Sequence, residues 1–239
     1  MKERSLQAVP RTVIAMGGLL LALQIGWRMT QPLPTARAQD LAAPPSPTAA
    51  LLASLGEPIT LAGLMALRLQ AFDNQPGISI PFAALDYAQL SAWLTRILDL
   101  DQRSSYPLLM ASHLYAQVPD PTRQRLMLDF TYRQFLSDPE RRWRYLAHAA
   151  LIAKHRLHDL PLALHYARAI QEKAGGAALH WASQMPIFIL EDMGELEAAK
   201  IELGALLASD SIRDPQEKHF LTQRYTELAA KLTKHRQAR

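Results

Sequence analysis

Apolar side chains recur at helical spacing from about residue 56 to the C-terminus, with short polar breaks between the apolar runs. Three of the runs begin at an Asp-Pro pair, at Asp120, Asp138 and Asp214. Aspartate accepts hydrogen bonds from the free N–H groups of a first turn, and proline fits the first helical position. No segment alternates apolar and polar residues for long enough to build a sheet. The pattern therefore predicts an all-α domain over residues 56–239.

The predicted helices fall into pairs. The pairs are 59–72 with 83–100, 105–117 with 121–136, 140–156 with 160–173, and 178–192 with 195–208, followed by a capping helix over 214–235. Each second helix begins with apolar positions at i, i+4, i+7 and i+8, broken only at Gln171: Leu90, Leu94, Ile97, Leu98; Leu128, Tyr132, Phe135, Leu136; Ala163, Ala167, Ile170, Gln171; Ala199, Leu203, Leu206, Leu207. The starts of these sets lie 38, 35 and 36 residues apart. Such regularity indicates stacked units that share a core with their neighbours.

The second helices resemble those of tetratricopeptide repeats. The resemblance rests on DYAQLSAWLTRILDLDQ (86–102), DLPLALHYARAIQE (159–172) and GELEAAKIELGALL (194–207). The first helices lack the Trp, Leu-Gly and Tyr positions usual in that family. The resemblance implies an α-solenoid of about four tetratricopeptide-like helix pairs plus a C-terminal capping helix.

In that family the first helices line a concave groove that binds a protein or peptide. Carried over to this chain, the resemblance implies groove residues from the third and fourth pairs: Tyr145, His148, Ile152, His155, Trp181, Gln184, Phe188 and Glu191. Aromatic, histidine and glutamine side chains combine apolar area with hydrogen bonding, which suits a peptide.

An uncharged apolar run, Thr12 to Trp27, follows three basic residues and is closed by Arg28. Its length is near the lower limit for a spanning helix, and the basic residues before it predict a cytoplasmic N-terminus. We expect a cytoplasmic segment 1–11, a transmembrane signal-anchor over 12–29 and a Pro/Ala-rich linker over 30–55. The Pro-rich part of the linker predicts an extended spacer that holds the next domain away from the bilayer.

A cleaved signal peptide is the alternative, because Ala36-Arg37-Ala38 has the small-x-small pattern of a cleavage site. The long interval after Trp27 and the position of Arg28 favour a retained anchor. In a bacterium either reading exports the body, so we expect a single-pass inner-membrane protein with a periplasmic repeat domain. The resemblance extends to membrane-anchored bacterial envelope proteins of this kind.

The formal net charge of +4 is concentrated at the N-terminus. Residues 1–40 carry five basic and two acidic side chains, whereas the other 199 residues carry 21 and 20. A nearly neutral body lacks the positive face that binding to nucleic acid requires, so we expect no nucleic-acid partner.

Four histidines, His148, His155, His158 and His165, raise the alternative of a metal-binding or catalytic protein. His148 and His155 are two helical turns apart, about 10 Å, which is too far to share an ion. Cysteine is absent from the chain, and it carries no Gly-flanked serine motif or Gly-rich phosphate loop. We therefore expect no cofactor, no metal site and no catalytic residues.

The longest break in the body is Asp73 to Pro81, whose isoleucines either plug the first end of the stack or bind a partner. The sequence as a whole predicts a non-enzymatic interaction scaffold that is tethered to the membrane and helps assemble or maintain an envelope complex. It leaves the oligomeric state open.

Overall fold

A computed structural model describes residues 10–31, 38–178, 180–209, 212 and 214–237. Within these ranges the protein is almost wholly helical, which confirms the all-α prediction. Lys2, Arg4 and the first two residues of the possible cleavage motif, Ala36 and Arg37, lie outside them.

Helix α1 (Arg11–Thr30) belongs to a different compact unit from the helices of the body. Its 20 residues have a length of about 30 Å, and the helix is long and apolar enough to cross a membrane. Arg28 lies in its last turn, where a cation is favoured by the helix dipole.

The body begins with α2 (Pro47–Ala53), α3 (Pro58–Gln70) and α4 (Tyr87–Leu100). A small hairpin, β1 (Asn74–Gln75) and β2 (Ile78–Ser79), and a 3₁₀ turn at Phe82–Ala84 lie between α3 and α4. The remaining helices are α5 (Tyr106–Leu109), α6 (Pro121–Ser137), α7 (Pro139–His155), α8 (Leu160–Lys173), α9 (His180–Asp192), α10 (Leu196–Ala208) and α11 (Pro215–Gln237).

The predicted aspartate caps hold the starts of several helices. The Asp120 carboxylate accepts from the Arg123 N–H at 2.9 Å, and Asp159 accepts from the Leu162 N–H at 3.0 Å. Asp138 caps α7 in the same way, and its hydrogen bond from the Arg141 side chain lowers the pKa of its carboxyl below the usual value. Each cap satisfies N–H groups that have no partner within the helix.

From α6 onward each helix of the body packs against the next in the chain, through α7, α8, α9 and α10 to α11. The apolar residues form two cores that meet at α9. The larger core runs from Leu41 to Ile189 and includes the first apolar positions of α4, α6 and α8. The smaller core joins Ile187 and Leu190 of α9 to residues of α10 and α11.

The structure differs from the sequence prediction in the linker. Residues 47–53 form α2, and the indole Nε1 of Trp93 donates to the Ala42 carbonyl at 2.7 Å. Leu41 and Ala50 are buried against the body. The second half of the predicted linker is therefore packed on the body, because the side chains of Leu41 and Ala50 are buried there.

The Asp73–Pro81 loop closes on itself. The Ile80 N–H donates to the Asp73 carbonyl at 2.7 Å, and Gly77 adopts a φ of +79° in the turn of the hairpin. Ile80 is buried in the larger core, whereas Ile78 is half-buried. The burial of Ile80 is the contact that the first alternative, in which the isoleucines plug the stack, requires of this side chain.

Candidate functional site

The first helix of the predicted second pair is not one regular helix. After α5, Met110–Leu114 forms a π-helical turn and Tyr115–Gln117 a 3₁₀ turn. The Ser112 hydroxyl donates to the Leu108 carbonyl at 2.7 Å and so competes with the backbone for that acceptor. Single π turns inside helices occur frequently at functional sites, and this one carries His113.

His113, in this π turn, stacks on His148 of α7. The ring centroids are 3.8 Å apart and the planes differ by 10°. Tyr145, one turn before His148, approaches His113 edge-on with centroids 6.2 Å apart. His113 is exposed, and His148 and Tyr145 are half-buried. We call His113, Tyr145 and His148 the histidine strip.

Hydrogen bonds set the tautomer of each histidine. Because the Ser112 hydroxyl gives its hydrogen to Leu108, the Nδ1–H of His113 donates to Ser112 Oγ at 2.7 Å. The side-chain amide of Gln117 donates to His148 Nε2 at 3.3 Å. The first contact leaves Nε2 of His113 as an acceptor, and the second places the ring hydrogen of His148 on Nδ1.

The surroundings of both rings favour their neutral form. Burial lowers the pKa of His113 below its usual value. Burial also lowers the pKa of His148, and the neighbouring His113 and Arg156 lower it further. Two cationic rings at this separation would repel each other, so the stacked geometry belongs to the neutral pair.

The strip rests on a rigid support. The Tyr87 hydroxyl donates to the Tyr115 carbonyl at 3.0 Å. Tyr115 is buried and begins the 3₁₀ turn that follows the π turn. Phe82 packs edge-on against the Tyr115 ring at 5.4 Å. On the other side, the Arg156 guanidinium donates to the Gln117 carbonyl at 3.0 Å. These contacts fix the backbone that carries His113, so the strip is organised before any partner binds.

Chemically, the strip offers flat aromatic area beside a neutral ring nitrogen that can accept a hydrogen bond. That combination suits a peptide, whose N–H groups donate and whose side chains pack on rings. Two exposed leucines lie nearby in the chain, Leu109 before His113 and Leu151 one turn after His148. They extend the apolar surface available to a partner.

The other two groove residues expected from α7, Ile152 and His155, do not join the histidine stack. Ile152 is 4% exposed and belongs to the larger core, so its side chain serves helix packing. His155 is exposed at the end of α7, two turns beyond His148. Only Tyr145 and His148 of the four are brought together.

The expected groove residues of α9 differ in exposure and in contacts. Trp181 is 49% exposed and packs edge-on against buried Trp143 with ring centroids 5.9 Å apart. Gln184 is buried and donates its amide hydrogen to Glu217 of α11. Phe188 is half-buried.

Glu191 forms an ion pair with α11. The Arg224 guanidinium donates to Glu191 Oε2 from Nε at 3.0 Å and from a terminal nitrogen at 2.6 Å. The Glu191 side chain is 6% exposed, and no described residue hydrogen-bonds its buried Oε1. Gln184 and Glu191 thus hold α11 in place.

The histidines of the metal-site alternative are dispersed. His165 packs against the Tyr132 ring at 4.9 Å, and His158 occupies the turn after α7 with a φ of +51°. Among the described residues, no three His, Asp or Glu side chains are close enough together to hold a metal ion.

Sequence reasoning missed His113, the partner of His148. The signal for it was present, because His148 follows His113 by 35 residues, the repeat spacing found among the second helices. Applying that period to the first helices would have placed the two histidines at equivalent positions. Gln184, 36 residues further along, occupies the corresponding place in α9.

Comparison of the chain with protein-family models, with curated proteins and with solved structures found no match.

Proposed function

We propose that this protein is a non-enzymatic interaction scaffold of the bacterial envelope, tethered to the inner membrane by α1, which binds a protein segment through the histidine strip. The observation that carries the proposal is the neutral His113–His148 stack beside Tyr145 on a partly exposed surface. Its rings are oriented by internal hydrogen bonds and leave an acceptor unused by the fold.

The helical arrangement supports the proposal. The helices from α6 to α11 pack in chain order, as expected of an α-solenoid of tetratricopeptide-like pairs closed by α11 as a cap. In that arrangement the segment Tyr106–Gln117, α7 and α9 are first helices. The strip then lies on the surface that such proteins use for peptides.

The membrane part of the proposal rests on α1 and on the basic residues before it. Retention predicts a full-length protein in the membrane fraction that carbonate washing does not release. A mature protein shortened to about residue 38 and released with the periplasm would replace the anchor with the secreted alternative. A protease added to spheroplasts should digest the body of the anchored protein, because the body lies on the outer face.

Site-specific photocrosslinking tests the binding surface. A benzophenone amino acid in place of Tyr145 or Leu109 should give discrete crosslinked products in cells. The same residue in place of Arg133, an exposed position on α6, is the matched control and should give none of them.

Substitution of the strip sharpens this test. The pair His113→Ala and His148→Ala should abolish most of the product formed from Leu109, since central aromatic contacts dominate the energy of small interfaces. His155→Ala, at an exposed position outside the stack, should leave the yield unchanged. Equal crosslinking from Arg133 and Tyr145, or products unaffected by the double substitution, would reject the strip as the binding surface.

A further inference from the structure

Helices α2 and α3 present a second surface, which is apolar and faces water. Six large aliphatic side chains compose it, and we call them the leucine face: Leu51, Leu52, Leu55, Ile59, Leu64 and Leu67. Leu55 is 91% exposed and the other five are between 59% and 73% exposed. Soluble monomers rarely expose so many large aliphatic residues within two short helices, and such faces mark contact with a partner or a membrane.

Helix α3 carries large apolar residues on two opposite sides. One side packs in the larger core through Ala62, Met65, Ala66 and Leu69. Its other side carries Ile59, Leu64 and Leu67. Together α2 and α3 are apolar enough for a membrane segment, but they are bent by 109° and one side is used by the body. A helix pair of this kind suits the surface of a bilayer and not its full thickness.

The turn between the two helices projects a leucine. Leu55 has a φ of +50°, a left-handed conformation that a bulky residue rarely adopts, and Gly56 follows with a φ of +91°. The Glu57 N–H donates to the Ser54 carbonyl at 2.8 Å and closes this turn. Leu55 is thus an exposed apolar side chain held in a sparsely populated backbone conformation, an arrangement that is typical of functional contacts.

Charge is almost absent from this part of the chain. Between Leu41 and Phe72 the only ionisable side chains are Glu57 and Arg68. The Arg68 guanidinium lies over the Trp93 ring at 5.8 Å, which directs it toward the body. The six side chains of the leucine face are themselves uncharged, and the exposed Glu57, between Leu55 and Ile59 in the chain, can keep its carboxylate in water at the level of the lipid headgroups.

The chain also limits how far the first buried residue of the body, Leu41, can lie from the end of α1. Leu41 is buried in the body and Ala42 is bonded to Trp93, so at most residues 31–40 connect α1 to the folded domain. Eleven residue steps reach no more than about 40 Å even when fully extended. A tether this short raises the effective concentration of the leucine face at the bilayer, so weak lipid contacts suffice.

We propose that the leucine face docks onto the outer leaflet of the membrane that α1 spans, with Leu55 inserted among the lipids. The inference rests on the membrane anchoring in the proposed function and extends it to the orientation of the body. A protruding tip on helices bent by 109° needs no matching surface, because fluid lipid chains adapt to it. A second copy of the chain would have to supply a complementary hollow.

The test uses the absence of cysteine from the chain, since one introduced cysteine gives one labelling site. Spin labels are placed at Leu55→Cys and Leu64→Cys in the full chain, reconstituted into vesicles of phosphatidylethanolamine and phosphatidylglycerol. Arg133→Cys, at an exposed position of α6, is the aqueous control. Leu20→Cys, in α1, is the membrane control. Collision rates with oxygen and with a water-soluble nickel chelate are measured at each site.

Docking predicts that the ratio of oxygen to nickel collisions at Leu55 and Leu64 is severalfold higher than at Arg133. Labels at Leu55 and Leu64 that match Arg133 while Leu20 lies in lipid would overturn docking and leave the anchor intact. An aqueous label at Leu20 would overturn the anchor and docking together. Dipolar broadening between copies at Leu64, without a gain in oxygen collisions, would replace the lipid surface with a self-association interface.

A paired substitution gives an independent readout. With the label at Leu64, the change Leu52→Ser with Leu55→Ser should lower the oxygen-to-nickel ratio toward the aqueous value. The matched pair Leu126→Ser with Leu136→Ser removes two exposed leucines from α6 and should leave the ratio unchanged. All four positions are exposed, so the folded body should survive both pairs. An equal effect of the two pairs would contradict docking.

Discussion

The two cores of the body are built differently. The larger core contains the fully buried aromatic residues Trp143, Tyr115, Phe130 and Phe135. The smaller core consists of six buried aliphatic residues from α9, α10 and α11, namely Ile187, Leu190, Ala199, Leu203, Leu221 and Leu228. Side chains of α11 compensate with polar contacts to α9, where Arg224 binds Glu191 and Glu217 binds Gln184.

This difference predicts that the two regions differ in stability. Because apolar stabilisation scales with buried area, we expect the larger core to be the more stable part and the α9–α11 region to open first. The histidine strip is mounted on the stable part. A partner would therefore meet a preformed surface at the strip and an adaptable one near α11.

The largest effect is expected from Phe130→Ala in the larger core. Removal of this ring, which is 1% exposed, should lower the free energy of unfolding by about 3–5 kcal/mol through lost burial and a cavity. Urea denaturation followed by circular dichroism measures it. Leu136→Ala, 42% exposed on the same helix, should cost less than about 1 kcal/mol. Similar losses for the two variants would mean that the aromatic core does not dominate stability.

The next effect is expected from Leu228→Ala in the smaller core, at about 2–4 kcal/mol. Hydrogen exchange should show faster opening of α10 and α11 while the amides of α6 and α7 keep their protection. Thr226→Ala, at an exposed position of α11, should leave the exchange pattern unchanged. Uniform acceleration along the chain would show that the two cores unfold as one.

A smaller effect is expected from Arg224→Met, which leaves the Glu191 carboxylate buried without its cation. The free energy of unfolding should fall by about 1–3 kcal/mol. Most of this loss comes from leaving the carboxylate buried without a cation, and less of it from the lost attraction between the two charges. The double variant with Glu191→Leu should recover most of it, and a double-mutant cycle measures the coupling. A double variant as unstable as Arg224→Met alone would contradict this account.

The smallest effect is the pH dependence of stability, which we expect to arise in the histidine strip and not in either core. The pKa values of His113 and His148 are lowered in the folded protein, so the unfolded chain binds more protons as the pH falls below about 6.5. Stability should therefore be full above that pH and decline below it, until the pH passes the folded pKa values. Each proton contributes at most about 1.4 kcal/mol per pH unit.

Urea titrations between pH 5 and 8 measure this slope. His148→Gln should flatten it, whereas His155→Gln, outside the stack, should retain it. A slope that is unchanged in His148→Gln would show that the stacked pair does not carry the pH dependence.

Helix boundaries were largely predictable because their determinants are local. The Asp120 and Asp138 caps and the apolar period placed α6 and α7 within about two residues of their ends. The helix predicted over 195–208 is α10, which begins at Leu196, and Gly194 with a φ of +80° follows the end of α9.

The site was less predictable because it depends on how helices are rotated about their axes. Family positions put Ile152 and Gln184 in a groove, whereas tertiary packing buries both. The π turn at Met110–Leu114 arises from competition between the Ser112 hydroxyl and the backbone, which apolar periodicity does not report. Residues 47–53, which the sequence analysis included in the linker over 30–55, form α2, and the prolines around them concealed this short apolar helix.

The π turn makes the His113–His148 stack dependent on backbone geometry. A π turn accommodates one more residue than the α-helical turn it replaces, and each residue of an α-helix advances the side chains by about 100°. If Met110–Leu114 took α-helical geometry with the same number of residues, its two ends would rotate relative to each other by about that angle. The two histidines would then no longer face each other although every amino acid of the strip is still present, so the strip can be lost through a change in backbone geometry as well as through a change in chemistry.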